Sequence, residues 1–251
     1  MRTGTAFLLA LLLPVPVLSQ SLPSTYPSYY LAFTPTDSID YGPMYPDQDT
    51  RDSIGTGYDN AHRRAKAIER YALKQQSTGF LHTVKNDQGR DRWEVKLTSG
   101  ETTRLVPRVV SRPHADLTFE YYHSDRKLIV FRSQWSEGNG YVLFSRNDGE
   151  SVRTFGPPAF SPSGKWFVAF NGDAAYSASG IQVFKRREEP ASGEFDYKEV
   201  LTYRMDDMGV SDVRWTGEDA FRLEAYDYRI VRGGDERNFR HYKAAIRRPE
   251  H

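Results

Sequence analysis

The sequence predicts a mostly β protein, a stack of short antiparallel sheets preceded by one α-helix. Three observations predict it. From Phe80 onward the apolar residues recur with a period of two rather than that of a helix. Clusters of Gly, Asn, Asp and Ser punctuate those runs as turns. The aromatic share is high, with 16 Tyr, 14 Phe and 4 Trp against 4 Met, and aromatic rings suit pleated surfaces.

Residues 1–19 read as an export leader. Arg2 supplies the positive start, and "AFLLALLLPVPVL" has about the length of a signal-peptide core. Pro14 and Pro16 break a run already too short to span a bilayer, so no stable membrane insertion is expected. Val17 and Ser19 are small enough for a cleavage site before Gln20, and Ser19 with Ser21 offers a second. The expected location is therefore periplasmic or extracellular.

No cysteine occurs. That excludes a disulfide framework, a thiolate zinc site, a thiol nucleophile and lipid attachment through an N-terminal Cys. An exported chain of this kind must rely on its core, which suits a bacterial domain. Removing Arg2 with the leader takes the formal charge from +1 to about zero, so no overall field draws in nucleic acid.

Residues 20–57 are rich in Pro, Ser, Tyr and Asp and read as an extended arm, with only "YYLAF" resembling a strand. The spacing then predicts a helix within 58–79. Asp59 is the expected N-cap and Gly79 the stop, with Ala61, Ala65, Ile68 and Ala72 on one narrow stripe. A stripe so small-sided should lie close against another element.

Residues 80–251 form the β domain. "WEVKL" places Trp93, Val95 and Leu97 on one face, and "TSGE" turns the chain into "TTRLV". "KLIVF", "YVLF" and "SVRTF" follow, the last after a strong turn at Asn147-Asp148-Gly149. Next come "KWFVAF", "GIQVFK" and "YKEVLTY", then "VSDVRW", "AFRLEAY" and "NFRHYKAAI".

These strands repeat. "YYHSDRKLIVF", "FSPSGKWFVAF" and "RWTGEDAFRL" each carry an aromatic, a polar turn and an apolar strand. Lys127, Lys165 and Asp219 mark equivalent positions, 38 and then 54 residues apart. Four short antiparallel strands at such spacing is the plan of a propeller blade. Three units are clear, or four, and a closed ring needs at least four. The arm or the helix could complete it; an open sheet stack or a compact β-sandwich are the alternatives, and two half-rings could join as a homodimer.

"FSPSGKWFVAF" resembles the hairpin of TolB-like and WD-repeat-like β-propellers, in which an aromatic-Ser-Pro-Asp-Gly-Lys turn leads into an apolar strand. "WEVKLTSGETTRLV" is similar to the outer strand pair of such a blade. The likeness is strongest over 157–185 and looser over 117–156, and Ser163 stands where the family has Asp. It implies a propeller-like platform for docking proteins.

No motif demands catalysis. There is no Gly-x-Ser-x-Gly elbow or His-Glu-x-x-His, and the six histidines are scattered. Asp47, Asp49 and Asp52 lie near one another, but Arg51 and the missing Gly and distal Glu spoil a calcium loop. No metal or other cofactor is expected. The cationic helix residues Arg63, Arg64, Lys66, Arg70 and Lys74 read as a solvated face.

In a blade arrangement, "SQWSEGNG", "NGDAAYSASG" and "YDYRIVRGGDERN" emerge on one face and bring Trp135, Tyr176 and Tyr228 together. Loops between blades add Arg112, His114, Asp206 and Asp207. Rigid rings beside polar groups suit a protein partner, or a glycan by stacking. The expected function is thus non-catalytic binding or scaffolding. An inhibitor or immunity protein against a toxin is a variant of it. The competing class is a cell-envelope carbohydrate-active enzyme using Asp173, Asp206 or Asp207, which would need a buried carboxylate pair at a cleft.

Overall fold

The computed structural model describes residues 29–37, 47–87, 89, 91–105, 115–136, 138–172, 179–190, 193–205, 208–227 and 239–249. The leader and residues 20–28 and 38–46 of the arm lie outside the described residues.

The described chain opens with strand β1 (Tyr30–Pro35) and helices α1 (Gln48–Thr56) and α2 (Ala61–Gln75). The first sheet holds β2 (Leu81–Lys85), β3 (Asp91–Lys96) and β4 (Thr102–Arg104). The second holds β5 (Asp116–His123), β6 (Leu128–Trp135), β7 (Gly138–Ser145) and β8 (Ser151–Thr154). The third holds β9 (Pro158–Phe160), β10 (Trp166–Asn171), β11 (Gly180–Arg186) and β12 (Tyr197–Arg204). The fourth is built from β13 (Met208–Trp215), β14 (Ala220–Asp227) and β15 (Phe239–Arg247), with β1 on its far edge. The protein is mostly β, and its sheets are small, antiparallel and ordered as simple meanders.

Part of the expected arm is a strand of the domain. β1 pairs antiparallel with β15, Tyr30 opposite Arg247 and Pro35 opposite Tyr242. It thereby covers an edge that would otherwise present unpaired backbone groups.

Successive sheets bury apolar side chains between them. Trp93, Val95, Leu97, Phe119, Phe131 and Phe144 form the core between the first and second sheets. Leu128, Leu143, Phe167 and Phe184 join the second to the third, and the Phe167 and Phe184 rings stack at 4.3 Å. Val168, Ile181, Val213, Phe221 and Leu223 fill the space between the third and fourth. Each wholly buried Phe or Leu contributes about 1.5–3 kcal/mol by leaving water.

Two helices, not one, precede the sheets. α1 occupies residues expected to be extended arm, and its buried Arg51 explains why: the guanidinium bonds Asp47 at 2.8 Å and the Glu120 carboxylate at 3.3 Å. The cap of α2 is Asn60 rather than Asp59; its side chain accepts the N–H groups of His62 and Arg63 at 3.0 and 3.1 Å. The helix also stops before Gly79. Gln76 is already extended, and its Oε1 accepts the Tyr122 N–H at 2.8 Å.

α2 lies along β5, whose outer edge has no strand partner in its sheet. Ala65, Ala67, Ile68 and Ala72 are buried, while Ala61 is half-buried; the small side chains let the helix approach closely. Glu69 Oε2 accepts the Phe119 N–H at 2.9 Å, and Arg51 donates to the Glu120 carbonyl at 3.1 Å. Side chains of both helices therefore satisfy backbone groups on that edge.

Candidate functional site

Strand direction brings the ends of several strands to one end of the stack. The polar turns 124–127, 161–165 and 216–219 all lie at the opposite end, so β6, β10 and β14 each run toward the same rim. β10, β12 and β14 end at that rim, and β5, β11, β13 and β15 begin there.

Residues at these strand ends are tied together. Ser179, just before β11, has its hydroxyl 2.7 Å from Met208 O and 3.1 Å from Asn171 O. The Tyr226 hydroxyl donates to Gly172 O at 2.6 Å. Gly172 and Gly209 are required at this junction. A Cβ on Gly209 would lie 2.6 Å from Tyr226 Cζ, and one on Gly172 would lie 2.7 Å from its hydroxyl. The Phe155 N–H donates to Gln182 Oε1 at 2.7 Å and ties the second sheet to the third at the same end. The rim is a fixed frame from which loops project.

Beside it, between α2 and the first two sheets, is a cleft of about 410 Å³. Lys66, Lys85, Trp93, Leu105, Asp116 and Leu117 contribute to its wall. Asp116 is held by His62 Nδ1 at 2.9 Å, and Lys85 by Asp91 at 2.6 Å. Leu105 and Ala115 bound the 106–114 segment, so this cleft lies at its root.

Of the seven predicted binding residues, the described structure contains Trp135. It is a strand residue, not a loop residue: β6 and β7 pair as far as Trp135 opposite Gly138. Its half-buried ring lies over Gly140, 3.2 Å from where a Cβ would stand. The indole thus covers its own hairpin. Tyr176, Tyr228, Arg112, His114, Asp206 and Asp207 lie outside the described residues, as does Asp173.

Sequence reasoning missed a buried charge cluster under the helices. Glu120 is the extra residue of a β-bulge, where the β5–β6 register shifts between Phe119 and Tyr121. Burial raises its carboxyl above the usual range; Arg132 and Arg51 oppose this, while Glu69 and Asp47 reinforce it. Burial also raises Glu69, against the pull of Lys66. Nearby Tyr141, opposite Arg132 across β6 and β7, is pushed up to about 12 by burial. Two carboxyls of raised pKa would suit proton transfer, but both are more than nine-tenths buried and tie β5 to the helices. Their role is to fasten the helices.

Asp47 precedes α1, while Asp49 and Asp52 are on it; Asp47 is taken by Arg51 and Asp52 by Gln48 at 2.9 Å. Among the described residues no group of three His, Cys, Asp or Glu side chains is placed to hold a metal. No described helix is long and apolar enough to cross a membrane.

No protein-family model matches this chain, and no curated protein or solved structure matches it significantly.

Proposed function

We propose that this protein is an exported, non-catalytic binding module that receives a protein partner on the loop-bearing rim. The observation that carries this reading is the hydrogen-bonded junction of Ser179, Met208, Tyr226 and Gly172, which roots three loops in one frame. A rigid scaffold presenting adjacent loops is a recurrent design for recognition. The leader-like residues 1–19 support export. Four stacked meander sheets, the last completed by the N-terminal strand, support kinship with propeller-like docking platforms.

Affinity capture from envelope and secreted fractions tests this, using protein that begins at Gln20. The loop variant is Tyr176→Ala/Tyr228→Ala; the control is Arg63→Ala/Arg70→Ala on the exposed face of α2. Trp135 is kept, since removing it would unseat the hairpin at Gly140. A protein retained by wild type and control but lost by the folded loop variant supports the rim. Identical capture by all three, or none by any, refutes it.

A further inference from the structure

The opposite end of the stack carries a feature that owes nothing to the rim. Between the turns of the second and third sheets runs a groove formed by two clefts of about 280 and 710 Å³. Both are lined by Asn147, Ser163, Arg186 and Asp196, so they are continuous. The pair also takes in Lys127, Lys165, Lys185, Arg187 and Arg248. In a chain of formal charge +1 this is a marked local excess of cations.

Part of that charge is already matched. Lys165 pairs with Asp219 at 3.1 Å and Arg187 with Glu194 at 3.0 Å. Lys127, Lys185, Arg186 and Arg248 form no ion pair among the described residues. Lys165 and Lys185 also converge on the Trp166 ring, 5.4 and 5.9 Å from its centre. Three acids, Asp125, Glu188 and Asp196, also line the groove; Asp125 is bonded by Arg126 at 3.1 Å and burial raises the Asp196 carboxyl, and the cations still outnumber the acids there.

The inner end carries a second, independent observation. Arg126 lies flat on the Phe160 ring at 4.5 Å, and its Nε is buried without a hydrogen-bond partner. One end of the Arg126 guanidinium is thus paired with Asp125 while its Nε stays unbonded, and facing cations repel across a concave surface.

We infer that this groove is an anion site for a ligand bearing two or more phosphate or sulfate groups. Tetrahedral oxyanions match the planar donor fork of arginine; Arg186 offers one at the groove, and the donors of Arg126 and Arg248 not used by Asp125 and the Tyr29 hydroxyl add to it. The larger cleft has the volume of an ordinary small-ligand pocket.

The test is calorimetric titration of the full chain with inorganic pyrophosphate and, separately, a disulfated disaccharide. The groove variant Lys127→Ala/Arg186→Ala alters two exposed side chains and leaves every core contact in place. The control Arg63→Ala/Arg70→Ala removes equal charge elsewhere. Binding of either probe, weakened about tenfold or more by the groove variant and unchanged by the control, is the expected result. Which probe binds then separates a phosphorylated from a sulfated ligand. Arg186→Lys should recover only part of the affinity, since an ammonium lacks the fork. Failure of both probes, equal weakening in both variants, or tighter binding of an oligo-aspartate peptide would overturn the assignment.

Discussion

The indole N–H of Trp166 donates to Asp219 Oδ1 at 2.6 Å, joining the third sheet to the fourth. It belongs to a set that explains the stretch "FSPSGKW". The Ser163 N–H and hydroxyl both donate to the Glu218 carboxylate, at 2.7 and 2.5 Å, and Lys165 reaches Asp219. Inside the turn, Ser161 Oγ accepts the Trp166 N–H at 3.1 Å. One turn is thus shaped to dock on the equivalent turn, "TGED", of the next unit.

That docking predicts an acid-sensitive junction. The Ser163 hydroxyl and N–H hold the Glu218 carboxyl below its usual range. A depressed folded-state pKa contributes stability above the unfolded value and loses it as pH falls through the folded one. Glu218→Gln should therefore lower the melting temperature near neutral pH. The gap to wild type should close below about pH 3. Thermal melts at the two conditions check it, and a constant gap would count against the carboxylate.

Asp212 should show the opposite sign. Burial pushes its carboxyl up to about 6, against Arg214 at 2.7 Å and the Val213 N–H, while Glu224 adds to the rise. A raised folded-state pKa gives stability that is full below the unfolded value and is lost as pH rises through about 6. Asp212→Asn should match wild type in acid and exceed it above neutrality. The gain is on the order of 1 kcal/mol after allowing for solvent screening. Urea denaturation at both pH values is the check.

At Arg51 and Glu120, removing one partner should do more harm than removing both. Arg51→Met leaves the buried Glu120 carboxylate with Arg132 as its remaining cation and without its ion-pair partner, and should cost about 3–5 kcal/mol. Arg51→Met with Glu120→Gln should restore much of that loss, because neither buried side chain then carries charge. A double-mutant cycle by chemical denaturation measures the coupling, and additive losses would contradict it.

Gly209 makes the loop frame testable without touching the loops. Gly209→Ala drives a methyl against the Tyr226 ring and should cost about 1–3 kcal/mol. Tyr226→Phe keeps the ring, removes the bond to Gly172 O and should cost about 0.5–1.5 kcal/mol. Partner capture should fall in the first variant and persist in the second.

Much of the sheet structure was legible because the inner strands have a dry side, as in β3, β10 and β14. Trp93, Val95 and Leu97, read as one face of a strand, are all buried. α1 was not legible: "QDTRDSIGT" has no apolar stripe, and its anchor is a bond from Arg51 to a residue 69 positions away. The charge cluster was hidden for the same reason. Trp135 was misread because Ser136, Gly138 and Gly140 resemble a loop, whereas Gly140 is small in order to seat the indole. The common direction of the strand ends was legible, but the bonds that tie them depend on Ser179 and Tyr226, which no motif marks.

The pairing of β1 with β15 has a consequence for biogenesis. A chain emerging N-terminus first releases β1 long before its partner exists. The first three sheets can assemble as they appear, since each is a local meander. The fourth waits for the last segment to arrive, and until then β1 remains a sticky, unpaired edge. Completion of synthesis is thereby written into the topology as the final assembly step, and a chain cut short of β15 leaves the N-terminal strand available to a neighbour.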